Sequence, residues 1–525
     1  MPCYPCTIKT LKIMNITRYI SKAVLASSAF CSIAAVSIGT LTSCDDFLDV
    51  KSETVAKENE LFETKEGFQD ALTGCYELMS SQNAYGKNMS FYMVDALANY
   101  WDMNLPMGGS ENADISEITL FDYESDDSRQ LIENTYLQMY KTILQANIIL
   151  KNLQTNGHVI GNSQLRNMIE AECYAIRAYC HFDILRVFGQ VPQNATKTVS
   201  LAYNESTSID EMPPFYKYDE FVAKLKADLD KAEKIMKEYD PVYNHTFYET
   251  FPNTTNSVSL SEEYLYYRRM RLNYWAVRAT QARLALYTGD KATAHSLAVE
   301  IINAKSDNGE SIVQLSDLKP SLDNGKTVIY PSLPSENIFS LSVFNLLTYT
   351  NTYFPLEKIQ RSSLVISDAQ YNKLYEGQVT ASHNRYSYWW RRCTTNQSAV
   401  GRVLTKYYWN TNSDTGLAPN AYNNLFIPMI RLSEIYLMAI ETTTDLAEAN
   451  SLYNTYMRYH NVLLDADAFA SLNDVKNVII DEYRRELIGE GQMFYVYKRL
   501  CSPSILWHST NVSEADYVVK LPLTK

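Results

Sequence analysis

The chain has 525 residues, 46% of them hydrophobic and a formal charge of −13. That is enough apolar material for a large core, held in one helical body with insertions or in several domains. The acidic balance argues against nucleic acid or an anionic membrane surface as a partner, and setting aside residues 1–43, which carry Lys9, Lys12, Arg18 and Lys22 and no acid, takes it to −17.

Residues 1–22 are basic, and Ala23 to Ile38 is a small, apolar run too short for a confident membrane span. Gly39-Thr40-Leu41-Thr42-Ser43-Cys44 then resembles a bacterial lipobox, with cleavage before Cys44 and a lipid on its thiol. The other reading is an ordinary signal peptide with a chance cysteine. Translation from Met14 would leave a leader of conventional length. Two or more acyl chains, at about 0.8 kcal/mol per buried CH₂, tether a protein to a membrane without spanning it.

Thr64 to Ser80 reads as a helix, capped by Thr64, with Phe68, Leu72, Cys75 and Met79 on one face. Phe91 to Tyr100 is a second, short helix, and Trp101 to Tyr123, with Pro106, Gly108 and Gly109, reads as loop. Asp126–Leu153 and Gln164–Phe188 form a helical hairpin. Its second arm is apolar over so much of its circumference that it must lie among other helices. Gly189 fits the left-handed position after the last turn, and Pro192 blocks continuation. Cys173 and Cys180 share a face two turns, or about 10 Å, apart, so they read as buried thiols and not as a disulfide.

Asp219 to Tyr239 is amphipathic, with Phe221, Leu225, Leu229 and Met236 inward, and Pro241 to Ser261 is irregular. Leu272–Tyr287 and Ala292–Ala304 flank Thr288-Gly289-Asp290, a glycine stop followed by an aspartate cap. Alanines at 276, 279, 282, 285, 294 and 298 permit the close packing of a tetratricopeptide-like unit. Arg431–Glu441 and Asp445–Tyr459 form a second such pair, Asp445-x-x-Glu448 resembling a capping box. Between the repeats, Asp307 to Ile427 is rich in Asn, Ser, Thr, Pro and aromatics, with short strands expected at Ile338–Phe344 and Val403–Tyr408. The fold expected is mostly α: tetratricopeptide-like hairpins over about residues 64–304 and 428–500, interrupted by a loop-rich insertion over about 305–427, in one domain after residue 43.

Four stretches together resemble the SusD/RagB family of nutrient-binding outer-membrane lipoproteins. Arg177, Ala178, Phe182, Asp183, Arg186, Phe188, Gly189, Val191 and Pro192 match its central helix motif, and Cys44 to Asp49 its mature start. Pro428 to Ala439 and Ile480 to Phe494 are similar to its two C-terminal helix motifs, with Tyr483, Arg484-Arg485 and Gln492 departing from the pattern. The resemblance implies an α–α superhelix on the cell surface, lipid-anchored in the outer membrane. It also implies a SusC-like TonB-dependent transporter as partner and a glycan as ligand.

No cofactor or metal motif stands out. The seven histidines are scattered without an i, i+4 pair, and no cysteine pair has zinc spacing. Serine-hydrolase and phosphate-loop signatures are missing too, so the chain reads as a binder and not an enzyme. Arg177, Asp183, Arg431 and Glu434 read as structural ion pairs. The ligand-binding candidates are Asn99, Tyr100, Trp101, Asp102 and Asn104, and Tyr386, Tyr388, Trp389, Trp390 and Arg391. A flat ring stacks on a sugar face while amides and carboxylates hold its hydroxyls; against this stands core packing of each tryptophan. The abundance of tyrosine, 40 against 18 Phe, suits wet recognition surfaces and half-buried positions alike. Alternatives to glycan capture are a RagB-like peptide binder, a surface glycosidase and a repeat scaffold for envelope assembly.

Overall fold

The structure is a computed structural model that describes residues 58–105, 111–194, 199–208, 210–252, 256–316, 321–323, 326–329, 333–378, 382–395, 400–408, 410–411, 425–508 and 510–522. The leader and Cys44 lie outside the described residues.

Caps start most helices. Thr64 accepts the Gly67 N–H at 3.0 Å and opens α1, Lys65–Met79, which buries Phe68, Leu72, Cys75 and Met79. The short α2, Met93–Leu97, follows, and the stretch expected as loop contains α3, Ala113–Thr119, whose Ile115 and Ile118 point inward. α4, Asp126–Asn156, is capped by Ser125, and α5, Ser163–Phe188, by Asn162. α5 is buried at every residue from Ala175 to Phe188, because α4 lies on one side and α6, Tyr218–Tyr239, on another. Gly189 does end α5, but with φ −73° and ψ 169° it is extended and not left-handed. Space demands the glycine: a Cβ there would lie 2.4 Å from the Leu185 carbonyl oxygen.

α7, Tyr274–Thr288, and α8, Lys291–Ile302, form the expected close hairpin around Gly289 at φ +89°, and Asp290 accepts the Thr293 N–H at 3.1 Å. The charges inside these helices are paired. Arg177 bonds both oxygens of Asp228 at 2.6 and 2.7 Å, Asp183 takes Arg186 and the Tyr85 hydroxyl, and Glu172 takes Arg268 at 2.6 Å.

In the insertion, α9 (Leu346–Tyr353), α10 (Asp368–Leu374) and α11 (Asn384–Tyr388) alternate with short strands. After the two-stranded ribbon of β1, Leu201–Ala202, and β2, Phe215–Tyr216, come β3 (Ser321–Asp323), β4 (Lys326–Ile329), β5 (Asn337–Ser342), β6 (Val365–Ser367), β7 (Trp390–Thr394), β8 (Val400–Leu404), β9 (Asn410–Thr411) and β10 (Phe426–Arg431). They pair in the orders β3-β4-β9, β6-β8-β7 and β10-β5. The strand expected at Val403–Tyr408 is β8, which ends at Leu404 in a turn. Pro428 to Arg431, expected as the start of a helix, is the end of β10, antiparallel to β5 with Ile427 opposite Leu341. Burying those apolar residues on both strands prevails over local helix preference.

The last helices are α12 (Leu432–Thr442), α13 (Leu446–Tyr459), α14 (Leu472–Leu487) and α15 (Met493–Leu500). α12 packs on α8, α13 and α14, which joins the two halves of the repeat body. α14 and α15 are parted by Gly489 and Gly491 at φ +86° and +66°. Both donate their N–H to the buried Asp95 carboxylate, at 2.6 and 3.0 Å, so this glycine pair is a carboxylate-holding turn.

One buried ionic network ties the insertion to these helices. Arg385 bonds Glu482 and Glu486 at 2.7 and 2.8 Å, and Arg485 bonds Glu482 at 2.8 Å. Lys406 bonds Glu490 at 2.7 Å, while Arg431 bonds Glu336, Glu486 and Glu490. Arg431 and Glu434 are structural, as the sequence suggested, but with other partners: Glu434 holds Arg283 at 2.6 Å.

Candidate functional site

The two candidate runs converge on one small sheet. The Asp102 N–H donates to the Val365 carbonyl on β6 at 2.8 Å, Val365 lies opposite Val403 on β8, and Val403 opposite Arg391 on β7. The large rings of both runs turn inward, however. Trp101 is 3% exposed, packs on Phe354 with ring centroids 5.6 Å apart, and donates Nε1–H to the Phe91 carbonyl at 2.9 Å. Trp389 is 0% exposed beneath the Lys406 ammonium, 3.9 Å from the ring centroid. Buried Trp390 donates to the Tyr375 hydroxyl at 3.1 Å, and buried Tyr100 donates to the Arg484 carbonyl at 2.8 Å. These four offer no ring face to a ligand, and core packing accounts for them. Half-buried Asn99 bonds the Thr119 carbonyl, and half-buried Tyr386 lies 4.7 Å from Tyr371. Tyr388 is half-buried on α11, and Asp102, Asn104 and Arg391 keep some contact with solvent. Trp101→Phe, which keeps a ring and loses the buried donor, is expected to lower stability by about 1–2 kcal/mol in urea melts and to leave glycan binding unchanged.

The exposed rings are elsewhere. Phe344, just past β5, is 85% exposed, and Leu347 is 51% exposed. Phe344, with Val343, Asn345 and Tyr349, forms one rim of a cleft of about 380 Å³. Ser80, Ser81 and Gln82, from the end of α1, form the other. Glu77 also lines it, its carboxyl held above the usual range first by burial and then by Asp70. One turn further along α9, Tyr353 shares the Lys87 ammonium with Tyr92, whose centroid is 4.0 Å from Nζ. Burial pushes that ammonium down from its ordinary value, and Asp114 opposes the shift. Such a surface joins flat apolar faces to hydroxyls, amides and a carboxyl, the combination that grips a saccharide's C–H face and its hydroxyl edge. The sequence does not show this rim, because Phe344 reads there as the end of a strand. Its alternation out of the buried run Ile338–Leu341 and its neighbour Asn345 were the available signal.

Among the described residues no group of His, Cys, Asp and Glu is placed to hold a metal ion. No helix among them is long and apolar enough to cross a membrane.

A family model described as "Starch-binding associating with outer membrane" matches residues 46–286, and one described as "SusD family" matches residues 344–518. SusD-like protein P38 of Formosa agariphila is 19% identical over 485 residues, 88% of each chain. SusD-like protein P25 of the same organism is 24% identical, but over only 29% of this chain and 28% of its own. A SusD superfamily protein of Bacteroides thetaiotaomicron superposes with a TM-score of 0.61 at 19% identity, covering 87% of this chain and 96% of that one. A SusD-like carbohydrate binding protein of Bacteroides vulgatus gives 0.57 at 16% identity, covering 83% and 84%. Two family models spanning most of the chain in order, on a matching helical-repeat fold, place it: the protein belongs to the SusD/RagB family.

Proposed function

We propose that the protein is a surface lipoprotein of the outer membrane that captures a glycan and passes it to a SusC-like TonB-dependent transporter. The observation that carries the binding half is the cleft where exposed Phe344 and half-buried Tyr349 face Ser80, Ser81 and Gln82. A large ring 85% exposed at the rim of a polar cleft contributes little to folding and leaves its face open to a ligand that covers it. Support also comes from the name of the B. vulgatus structure, a carbohydrate binding protein, and from the family model's starch-binding description. Cys44 is the proposed anchor, the helical repeats the proposed docking face for the barrel, and the role is that of a lid without covalent chemistry.

Phe344→Ala and Tyr349→Ala are each expected to weaken polysaccharide binding about tenfold, near 1.4 kcal/mol, by calorimetry or affinity electrophoresis. Because the lost ring of Phe344 is solvated, its variant should melt like the parent. Binding unchanged in both variants would reject the cleft, and turnover of glycan by the purified protein would favour a glycosidase. Co-purification of a TonB-dependent barrel tests the partner.

A further inference from the structure

A second cleft, of about 930 Å³, lies at the other end of β5. Ser335, ahead of the strand, lines it, whereas Val343, after the strand, lines the first cleft; six residues of strand separate them by about 20 Å. Its walls are the segment after α6, with Tyr248 and Glu249, and the segment after α8, with Asn308 and Glu310. Tyr248 is 58% exposed.

Arg269 sets this cleft apart. Three arginines fall within four residues here. Arg268 bonds Asp240 and Glu172, and Arg271 lies 3.4 Å from Glu172 and bonds the Tyr264 carbonyl. Arg269, between them, makes no ion pair or side-chain hydrogen bond among the described residues, and its enclosed Nε has no partner. Its guanidinium lies over the Phe247 ring, 5.1 Å from the centroid, which fixes the plane of the fork. Arg269 is half-buried, with its Nε enclosed, and a cation so placed without an anion contributes little to folding, whereas the deeply buried arginines, such as Arg177, Arg283, Arg385 and Arg431, all meet carboxylates. The cleft's own acids do not supply the partner. Glu249 is occupied by the Thr246 N–H at 2.6 Å and the Asn308 amide at 2.8 Å, and neither it nor Glu310 pairs with Arg269. Burial pushes the Arg269 guanidinium down to about 10, so it is still charged at neutral pH.

We propose that this cleft is a second saccharide site and that it takes an acidic sugar. The sugar's carboxylate would meet the fork of Arg269 through two parallel hydrogen bonds, and its ring face would lie on Tyr248. Asn308 and Glu310 would receive its hydroxyls. A planar fork matches a carboxylate in a way a single ammonium does not. The inference rests on the reading of the protein as a glycan binder and adds a charge class to it.

The test titrates the protein with D-glucuronate, D-glucose and acetate, read by ligand-observed NMR. Glucuronate is expected to bind at least tenfold more tightly than either of the others. Arg269→Gln should erase that margin without lowering the melting temperature, because no ion pair is lost. Arg269→Lys, which keeps the charge and loses the fork, should give an intermediate affinity and covers the case of a poorly folding Gln variant. Tyr248→Ala should weaken glucuronate, and Phe344→Ala should not. Equal binding of glucose and glucuronate, no binding of glucuronate, or binding indifferent to Arg269 overturns the proposal. Acetate as good as glucuronate reduces the site to a carboxylate trap and overturns the sugar. Neutral glycans that bind and respond to Phe344→Ala while glucuronate fails would sink this inference alone; no glycan binding at all would sink the functional reading beneath it.

Discussion

Arg431→Ala is expected to cost about 3–5 kcal/mol, the penalty for removing one partner of a buried ionic cluster. The guanidinium faces three carboxylates: it bonds Glu486 at 2.6 Å and Glu490 at 2.7 Å, and it also bonds Glu336. The cluster as a whole balances, with Arg385, Lys406, Arg431 and Arg485 against Glu336, Glu482, Glu486 and Glu490. Every one of these side chains is almost wholly buried, so solvent cannot replace the missing charge. Deleting Arg431 leaves an excess of negative charge in a medium where charges are poorly solvated. The damage should also be directional. Glu336, Arg385 and Lys406 come from the insertion, and Glu482, Glu486 and Glu490 from α14 and the turn after it. The insertion should therefore loosen from the helices first, seen as faster amide exchange at β5 and β10 and as a lower urea midpoint. A loss under 1 kcal/mol would show that water reaches the cluster and that the packed network contributes little.

Much of the helical body was legible because its signals are local. Thr64, Asn162 and Asp290 cap helices through contacts three residues away, and Gly289 supplies the one left-handed residue its turn needs. The inward faces of α1 and α6 follow from spacing alone. What was not legible depends on distant partners. Arg431 and Glu486 stand 55 residues apart, and nothing near Arg431 in the chain announces three acids. Trp101 and Trp389 illustrate the same limit from the other side. A tryptophan flanked by Asn and Asp reads the same whether its ring faces a sugar or Phe354, because direction is decided by the neighbouring element. Pro428 to Arg431 was assigned to a helix since the partner strand β5 lies some 90 residues earlier, a number fixed by the pairing of Arg431 with Asn337. Arg269 shows why an empty place is the hardest feature to foresee: its distinction from Arg268 and Arg271 is only that no acid meets it.

Acidification from pH 7.5 to 5 should destabilise the protein well before the arginine-paired Glu482 and Glu486 titrate. His181 is fully buried, and the Asn204 N–H donates to its Nε2 at 2.9 Å. The ring proton therefore sits on Nδ1 and is given to the Arg177 carbonyl, also at 2.9 Å. Protonating Nε2 would break the Asn204 bond and place a cation beside Arg177 in the core, so burial first and Arg177 second hold this imidazole well below its ordinary value. His383 is in the same position: Arg385 donates to its Nε2 at 3.2 Å, and burial, with Arg385 and His460 adding to it and Glu482 opposing, pushes it down to about 2. In the unfolded chain an imidazole takes its proton near pH 6.5, so below that pH the unfolded state binds a proton that the folded state refuses. Stability from each such histidine is complete above pH 6.5 and falls by about 1.4 kcal/mol per pH unit beneath it, near 2 kcal/mol for His383 by pH 5. The network carboxylates act in another window. Glu482 and Glu486 are held low by Arg485, Arg385 and Arg431 against the opposing effect of burial, so their contribution is kept until the pH nears the unfolded glutamate value of about 4.3. Urea midpoints at pH 7.5, 6 and 5 separate the two effects. A His383→Asn variant should start less stable and lose less on acidification. A parent midpoint that stays level from pH 7.5 to 5 would mean these rings accept protons in the folded state, and that the core around α5 and α11 is wetter than its packing indicates.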